Sequence, residues 1–341
     1  MKSKKILKNI GMTLFLPVAT YLFFFIITRL TGNTSFGVGL DLQTIIYTSV
    51  YTCLISQALS LNLQTGRFDF AIGSTLVLST IIGGDLAYKW GLGAFGMLAC
   101  VTILAAICGL VSGLVYVILG LPPMVVSLGI AMIYEAIGFM YNNAKGLRLI
   151  GKMDYLIFSK FPNNIILMII VLVLLVIVYD YSKIGYNRRA LAGGQKIAVD
   201  VGIREKKNAV YCYVIAGALL GLAGCVYLSK YGMISPETGL SSSSYFMSAF
   251  LPMFIGSIFG RYSSQPIAVF MGAVVQAFLT SGLSALGASS SLMTVINGLV
   301  VCVFLIYSSN SYKLVEAKMF KEKLERANLA KGITEKANQN A

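Results

Sequence analysis

Long runs of apolar residues constrain this chain more than any other feature of its sequence. Runs of about 18 residues or more recur along the 341-residue chain, and each could cross the roughly 30 Å hydrocarbon core of a bilayer as a helix. Hydrophobic residues make up 57% of the chain and charged residues only 12%, about half the charged share of a soluble domain. The sequence therefore predicts an all-α, multi-pass membrane protein without a sizeable soluble domain.

We predict about ten transmembrane helices, with both termini in the cytoplasm. The predicted spans are 11–29, 40–60, 70–88, 93–119, 122–142, 163–180, 209–230, 245–259, 266–284 and 291–308. Residues 1–308 would form a single transmembrane domain, and residues 309–341 a charged cytoplasmic tail. The basic N-terminus and the basic tail support this orientation, because cytoplasmic segments carry an excess of Lys and Arg.

A polar, glycine-bearing stretch at residues 62–73 separates the second span from the third. Non-helical backbone at membrane depth is tolerated only where protein or a water-filled cavity covers it. We therefore expect a re-entrant or broken segment here, with a simple tight turn as the alternative. Asp69 could cap the helix that begins near Ala71 or pair with Arg67, and the cap is the favoured role.

A polar loop at residues 181–208 is the only long interruption within the central membrane region. It is rich in Lys and Arg, and its amphipathic residues 196–201 are followed by Gly202, a pattern that predicts a short helix with a glycine C-cap. Two spans would hold this helix at the cytoplasmic face. We interpret it as the contact through which a soluble partner moves the membrane domain.

Several other functions are disfavoured by the composition. The net charge of +14 follows the positive-inside pattern, so we expect anionic membrane lipid as a secondary partner and no nucleic acid. The six cysteines lie in apolar runs and the chain has no histidine, which argues against a metal site and against histidine-based catalysis. Residues 146–153 match the start of a P-loop, but Met153 stands where a Ser or Thr must hold magnesium. ATP and magnesium would therefore be bound by a separate subunit.

Four sequence blocks follow one another at consistent separations. They are residues 66–73 with Asp69 and Gly73, residues 121–129 with Pro122 and Pro123, residues 193–203 followed by the glycine-rich residues 213–224, and residues 254–261. Together the blocks resemble the permease subunits of bacterial ABC importers for ribose, galactose, xylose and related monosaccharides. The resemblance covers residues 40–308, although Ala71 replaces a usual serine and only Ala198 remains of a usual alanine pair.

The resemblance implies an import permease of the bacterial inner membrane with several partners. These would be ABC ATPase subunits, an extracytoplasmic solute-binding protein, and a second permease copy or a sister permease. The loop at 181–208 would carry the coupling helix, and its coupling residues would be Gly194, Ala198, Asp200, Gly202 and Ile203. Polar residues within the spans are candidates for the substrate path, although helix–helix hydrogen bonding is the favoured role for each of them. These candidates are Gln57, Asn62, Glu135, Asn142, Gln276 and Asn297.

Three alternatives remain open at this point. The same architecture could import a nucleoside, an autoinducer or a branched-chain amino acid. An ion-coupled secondary transporter usually carries several ionisable residues near the membrane midplane, whereas only Glu135 lies deep within a span here. An intramembrane enzyme would need a nucleophile with a base, or paired carboxylates at matched depth, and the sequence supplies neither.

Overall fold

The computed structural model describes residues 2–32, 36–260, 262–303 and 306, with side chains described from residue 9 onward. The chain divides into two compact units, residues 1–294 and residues 295–341. The charged tail predicted at 309–341 lies outside the described residues.

The first unit is built almost entirely from helices. Its first half contains α1 (Lys2–Leu30), α2 (Leu40–Leu63), α3 (Ile72–Lys89), α4 (Gly93–Leu119), α5 (Pro123–Met140), a 3-10 turn (Tyr141–Ala144) and the short strand β1 (Leu147–Arg148). The central part contains α6 (Asn163–Val176), a π turn (Ile177–Tyr181), α7 (Lys183–Gly193), α8 (Gln195–Asp200) and α9 (Glu205–Tyr231). Then come the strand β2 (Met233–Ile234), a 3-10 turn (Ser241–Ser243), α10 (Ser244–Met247), α11 (Phe250–Phe259) and α12 (Gln265–Ala285). The last described helix is α13 (Ser290–Val303), which continues into the second unit.

The predicted all-α membrane fold is confirmed. Within the described residues, eight helical segments are long and apolar enough to cross a membrane. The two remaining predicted spans also coincide with helices. One is α3, which is more polar and carries Asp85 and Lys89 near its end, and the other is the shorter α13.

Helix α2 forms the centre of the bundle. Most of its residues between Ile45 and Asn62 are buried, and it contacts α6, α9, α11 and α12. A helix surrounded on all sides cannot show the one-sided pattern of a surface helix. Polar side chains are buried on α2 as well, including Ser56, Gln57 and Ser60, and each must find a hydrogen-bond partner within the protein.

Helices α4 and α9 make the most extensive helix–helix contact, and glycines allow it. A Cβ atom added to Gly217 of α9 would overlap the backbone carbonyl of Ala105 on α4. The facing Gly109 is equally close to the carbonyl of Tyr213. Small residues permit such backbone contact in lipid, where van der Waals packing rather than hydrophobic burial drives association.

The direction of α9 defines two ends of the unit, about 40 Å apart at 1.5 Å per helical residue. We call one the α8 end, because α7, α8 and the start of α9 lie there together with the C-terminus of α2. We call the other the β end, because β1 pairs with β2 directly after α9, with Leu147 opposite Ile234. Helices α2 and α9 run in opposite directions between these ends.

We expect Gly217→Ala to destabilise the protein by about 1–3 kcal/mol, because the added methyl group has no room between α4 and α9. Gly129→Ala on α5 is the matched control, since nothing lies within 4 Å of a Cβ atom added there. Thermal unfolding of the two variants in the same detergent checks this prediction. Equal melting temperatures would contradict the close packing of α4 against α9.

Candidate functional site

Helices α7 and α8 form a compact polar segment between two membrane-spanning helices. The chain leaves α6 through the π turn, and the hydroxyl of Ser182 then caps α7 by accepting a hydrogen bond from the Gly185 N–H at 3.2 Å. Helix α8 ends where Gly202 adopts a φ of +94°, and the Ile203 N–H donates to the Ala198 carbonyl at 3.0 Å. The short helix predicted before Gly202 is therefore present, beginning at Gln195 rather than at residue 196.

Helix α8 exposes apolar side chains although it lies in a polar segment. Ile197 is 71% exposed, Val201 73% and Val199 45%, whereas Ala198 is buried on the opposite side. Gly194, Asp200 and Gly202 complete the turns at either end of the helix. Clustered exposed apolar side chains with a polar rim are typical of a protein–protein contact.

The rim around α8 is strongly basic. Its exposed cationic residues are Lys183, Arg189, Lys196, Arg204, Lys206 and Lys207. Several of them also line an open groove of about 630 Å³ between α7 and the start of α9, together with Asn187 and Tyr211. Such a surface attracts an acidic partner surface over a distance of several ångströms. We call Ile197, Val199, Val201 and the basic rim the α8 surface.

Arg188 connects the α8 surface to two membrane-spanning helices. Its side chain is only 2% exposed and donates hydrogen bonds to Gln64 Oε1 at 2.7 Å and to Gln265 Oε1 at 2.5 Å. The guanidinium also lies 4.1 Å from the centre of the Tyr179 ring. Because Gln64 follows α2 and Gln265 begins α12, one side chain of α7 joins the ends of both helices.

Arg67 makes a second buried connection at the α8 end. Its Nη1 lies 3.5 Å from Glu205 Oε1, and the Tyr116 hydroxyl donates to the same oxygen at 3.2 Å. Arg67 lies between α2 and α3, Glu205 begins α9, and Tyr116 belongs to the last turn of α4. Because the Arg67 guanidinium is buried, this ion pair fixes relative positions, since separating it would leave an uncompensated charge inside the protein.

Residues 64–71 between α2 and α3 are non-helical and largely covered by protein, as a broken segment requires. The Asp69 carboxylate accepts a hydrogen bond from the Ala71 N–H at 2.8 Å at the start of α3. Burial raises the pKa of this carboxyl to about 6, and the hydrogen bond from Ala71 opposes the rise. Gly73 touches the Ser242 carbonyl so closely that a side chain would not fit.

Pro122 and Pro123 begin α5, as proline at the start of a helix commonly does. Within the same helix, Glu135 accepts hydrogen bonds from the backbone N–H groups of Leu240 at 2.8 Å and Ser242 at 3.0 Å. Glu135 therefore fixes the 3-10 turn against α5. Gln57 behaves similarly, since its Nε2 donates to the Pro266 carbonyl on α12 at 2.8 Å.

The other polar residues predicted for the substrate path lie in different places. Asn62 is buried at the end of α2, and Gln276 on α12 donates to Thr280 at 3.3 Å. Asn142 is exposed beside a polar pocket at the β end, and Asn297 is half-buried on α13 in the second unit.

Sequence reasoning missed the two buried arginines. Arg188 stands next to the exposed Arg189, and no local pattern distinguishes the two. Its partners are 124 and 77 positions away along the chain, so only the fold reveals the connection. Arg67 was considered only as a partner for Asp69, whereas its carboxylate partner is Glu205.

Comparison with known proteins identifies the family. Residues 42–306 match the family described as "Branched-chain amino acid transport system / permease component". The chain belongs to this permease family. It is a multi-pass membrane transport protein, and the resemblance found in the four sequence blocks is confirmed. No solved structure matches the chain significantly.

Several relatives are import permeases of similar length. The fructose import permease protein FrcC of Rhizobium meliloti is 24% identical over 264 residues, covering 73% of this chain and 72% of the relative. The ribose import permease protein RbsC of Bacillus subtilis is 23% identical over 298 residues, covering 83% and 88%. The autoinducer 2 import system permease protein LsrD of Salmonella typhimurium is 22% identical over 287 residues, covering 80% and 85%.

We expect Arg188→Lys to loosen α7 and α8 from the rest of the unit, because a single ammonium cannot reproduce the fork that reaches Gln64 and Gln265 together. The local opening free energy should fall by about 2 kcal/mol, which corresponds to about thirtyfold faster amide hydrogen exchange in α7 and α8. Arg189→Lys, at the neighbouring exposed position, is the control. Unchanged exchange in Arg188→Lys would show that the side chain does not anchor the segment.

Proposed function

We propose that this chain is the membrane permease subunit of an ATP-driven importer for a small polar solute, and that the solute is a monosaccharide. Membership of the permease family supports the transport role. The relatives named for fructose, ribose and allose support a monosaccharide. The proposal that the importer is driven by ATP rests on one observation, the α8 surface. This surface presents apolar side chains within a basic rim, on a segment that is anchored to the spans.

The proposed partner at the α8 surface is an ABC ATPase subunit. Ile197, Val199 and Val201 would enter an apolar depression on that subunit, and the basic rim would face acidic residues around it. Ala198, Gly202 and Ile203 would shape the helix, while Gly194 and Asp200 would mark its two ends. ATP and magnesium would be bound by the ATPase, and this chain would bind neither.

The proposed orientation places the α8 end in the cytoplasm and the β end outside. Both termini would then be cytoplasmic, in the inner membrane of a bacterium, as the positive-inside rule favours. An extracytoplasmic solute-binding protein would deliver the solute at the β end. A second copy of the chain or a sister permease would complete the transport path, with membrane lipid around both.

We propose that ATP binding moves the spans through the contacts at the α8 end. Closure of the ATPase pair would displace α8, and Arg188 would pass this displacement to α2 and α12. Arg67 and Glu205 would transmit it to α4 and α9. Because packed helices switch between discrete arrangements rather than deform continuously, the spans would change from an outward-open to an inward-open state as rigid bodies. The ATPase needs only to bind the two states with different affinity.

A second candidate solute is the autoinducer-2 class, because relatives named for autoinducer 2 import cover a similar share of the chain. The architecture and the α8 surface would be the same in that case. Measuring the import of each solute into cells separates the two candidates. D-ribose, D-fructose or D-allose should be imported in an ATP-dependent manner if the solute is a monosaccharide, and import of autoinducer 2 alone would favour the second candidate.

We expect Ile197→Asp and Val201→Asp each to weaken ATPase binding at least about tenfold and to abolish uptake, because a carboxylate would enter an apolar contact. Met153→Asp is the matched control, since Met153 is also 61% exposed but lies in the loop before α6. Co-purification of the ATPase and ATP-dependent sugar uptake are the measurements. Full ATPase binding by both α8 variants would contradict the proposed contact.

A further inference from the structure

Two deeply buried polar side chains of the first unit serve its own packing, which leaves the recognition of a solute to other groups. Gln57 and Glu135, two residues first considered for the path, are hydrogen-bonded to backbone groups of neighbouring elements. A recognition surface should instead combine partly exposed rings with polar groups that remain accessible. Five tyrosines lie together at the β end, and four of them are partly exposed, whereas Tyr47 is buried. They are Tyr47, Tyr51, Tyr227, Tyr231 and Tyr245, which we call the tyrosine cluster.

The cluster is assembled from three helices. Tyr47 and Tyr51 occupy successive turns of α2, with parallel rings whose centres are 5.9 Å apart. Tyr227 and Tyr231 occupy successive turns of α9, with ring centres 4.5 Å apart. Tyr245 of α10 lies edge-on to Tyr227 at 5.3 Å. Since α2 and α9 are antiparallel, the second tyrosine of the α2 pair lies level with the first tyrosine of the α9 pair, and the ring centres of Tyr51 and Tyr227 are 5.8 Å apart.

Polar and charged groups border the rings. The Tyr245 hydroxyl donates to Glu237 Oε1 at 3.4 Å, and the Tyr51 hydroxyl donates to the Tyr245 carbonyl at 3.5 Å. The ammonium group of Lys230 lies 5.4 Å from the centre of the Tyr47 ring. The Tyr47 hydroxyl is buried and has no hydrogen-bond partner among the described residues. One carboxylate and one ammonium give the cluster no net charge.

The cluster is accessible from the β end. Tyr231 is 53% exposed, and Tyr51, Tyr227, Tyr245 and Glu237 are half-buried. A simple structural role would be that of an aromatic belt, in which Tyr rings stand at the membrane interface and anchor a helix to lipid. Belt residues act individually, whereas these five rings contact one another and direct two hydroxyls into hydrogen bonds within the cluster. Rings that contact one another and share hydrogen bonds are more typical of a binding surface than of a lipid anchor.

We propose that the tyrosine cluster is a binding site for a neutral, hydroxylated ring compound, at which an incoming monosaccharide is first held by the permease. The inference rests on the proposed function for its solute class and adds the residues that recognise it. Tyrosine rings offer rigid, flat apolar faces for the C–H groups of a sugar ring, and they lose little side-chain entropy on binding. Glu237 and the tyrosine hydroxyls supply acceptors and donors for the sugar hydroxyl groups.

Saturation-transfer NMR on the full chain in lipid nanodiscs tests the site directly, because it detects weak binding without the partner proteins. The probes are D-ribose, D-fructose and D-allose. With the wild-type chain, irradiation of aromatic protons should transfer saturation to the carbon-bound ring protons of at least one sugar. Tyr227→Ala should weaken this binding by about tenfold, and Tyr227→Phe should retain most of it because the ring face remains.

Two further variants keep the test decisive. Tyr231→Ala removes a ring that is largely exposed, so it should weaken sugar binding even if Tyr227→Ala unfolds the protein. Tyr88→Ala is the matched control, because Tyr88 is 39% exposed near the same end and packs on Tyr155 at 5.7 Å outside the cluster. Sugar binding should be unchanged in this control.

Uptake by the complete importer shows whether a negative result refutes only the tyrosine cluster or also the proposed function. If the wild type imports a sugar but shows no saturation transfer, or if Tyr227→Ala and Tyr231→Ala bind it normally, the tyrosine cluster is not the site and the proposed function stands. If the wild type neither binds nor imports any of the three sugars, the proposed function fails as well. Equal loss of binding in the Tyr88→Ala control would also overturn the assignment, because the effect would not be specific to the cluster.

Discussion

Within the hydrocarbon core no water is available to a polar side chain, so a polar side chain on the central helix is stabilised when it finds a partner inside the protein. Helix α2 shows how this constraint organises the bundle. Its Ser56 donates to the Ala249 carbonyl at 2.9 Å and its Gln57 to the Pro266 carbonyl at 2.8 Å, which fixes α2 against the elements around α11 and α12. The remaining helices assemble around this core through close backbone contacts such as that between Gly217 and Ala105.

The same constraint explains the two ends of the unit. At the α8 end, two buried guanidinium groups join segments that are distant in sequence, so the polar segment outside the spans is mechanically continuous with the helices inside. At the β end, partly exposed tyrosine rings border a carboxylate that accepts a hydrogen bond. In the proposed function, the α8 end would contact the ATPase, and the β end would receive a small uncharged solute.

The sequence predicted the helices well because their signals are local. Apolar length predicts a span, and the amphipathic turn before Gly202 predicts α8 to within one residue. Polarity within a span indicated only that Gln57 and Glu135 must be covered by protein, not what they contact. The connections made by Arg188 and the meeting of Tyr51 with Tyr227 depend on residues far apart in the chain. No local pattern encodes such contacts, so the fold was needed to find them.

The central claim is that the α8 end and the β end face opposite sides of the membrane, with the α8 end in the cytoplasm. Single cysteines at positions 201 and 152, in a chain whose native cysteines are replaced by alanine, test it with a membrane-impermeant maleimide. Val201 is 73% exposed on the α8 surface, and Lys152 is exposed in the loop that precedes α6. In intact spheroplasts, residue 152 should be labelled at once and residue 201 only after the membrane is permeabilised. Labelling of residue 201 in intact spheroplasts would contradict the account.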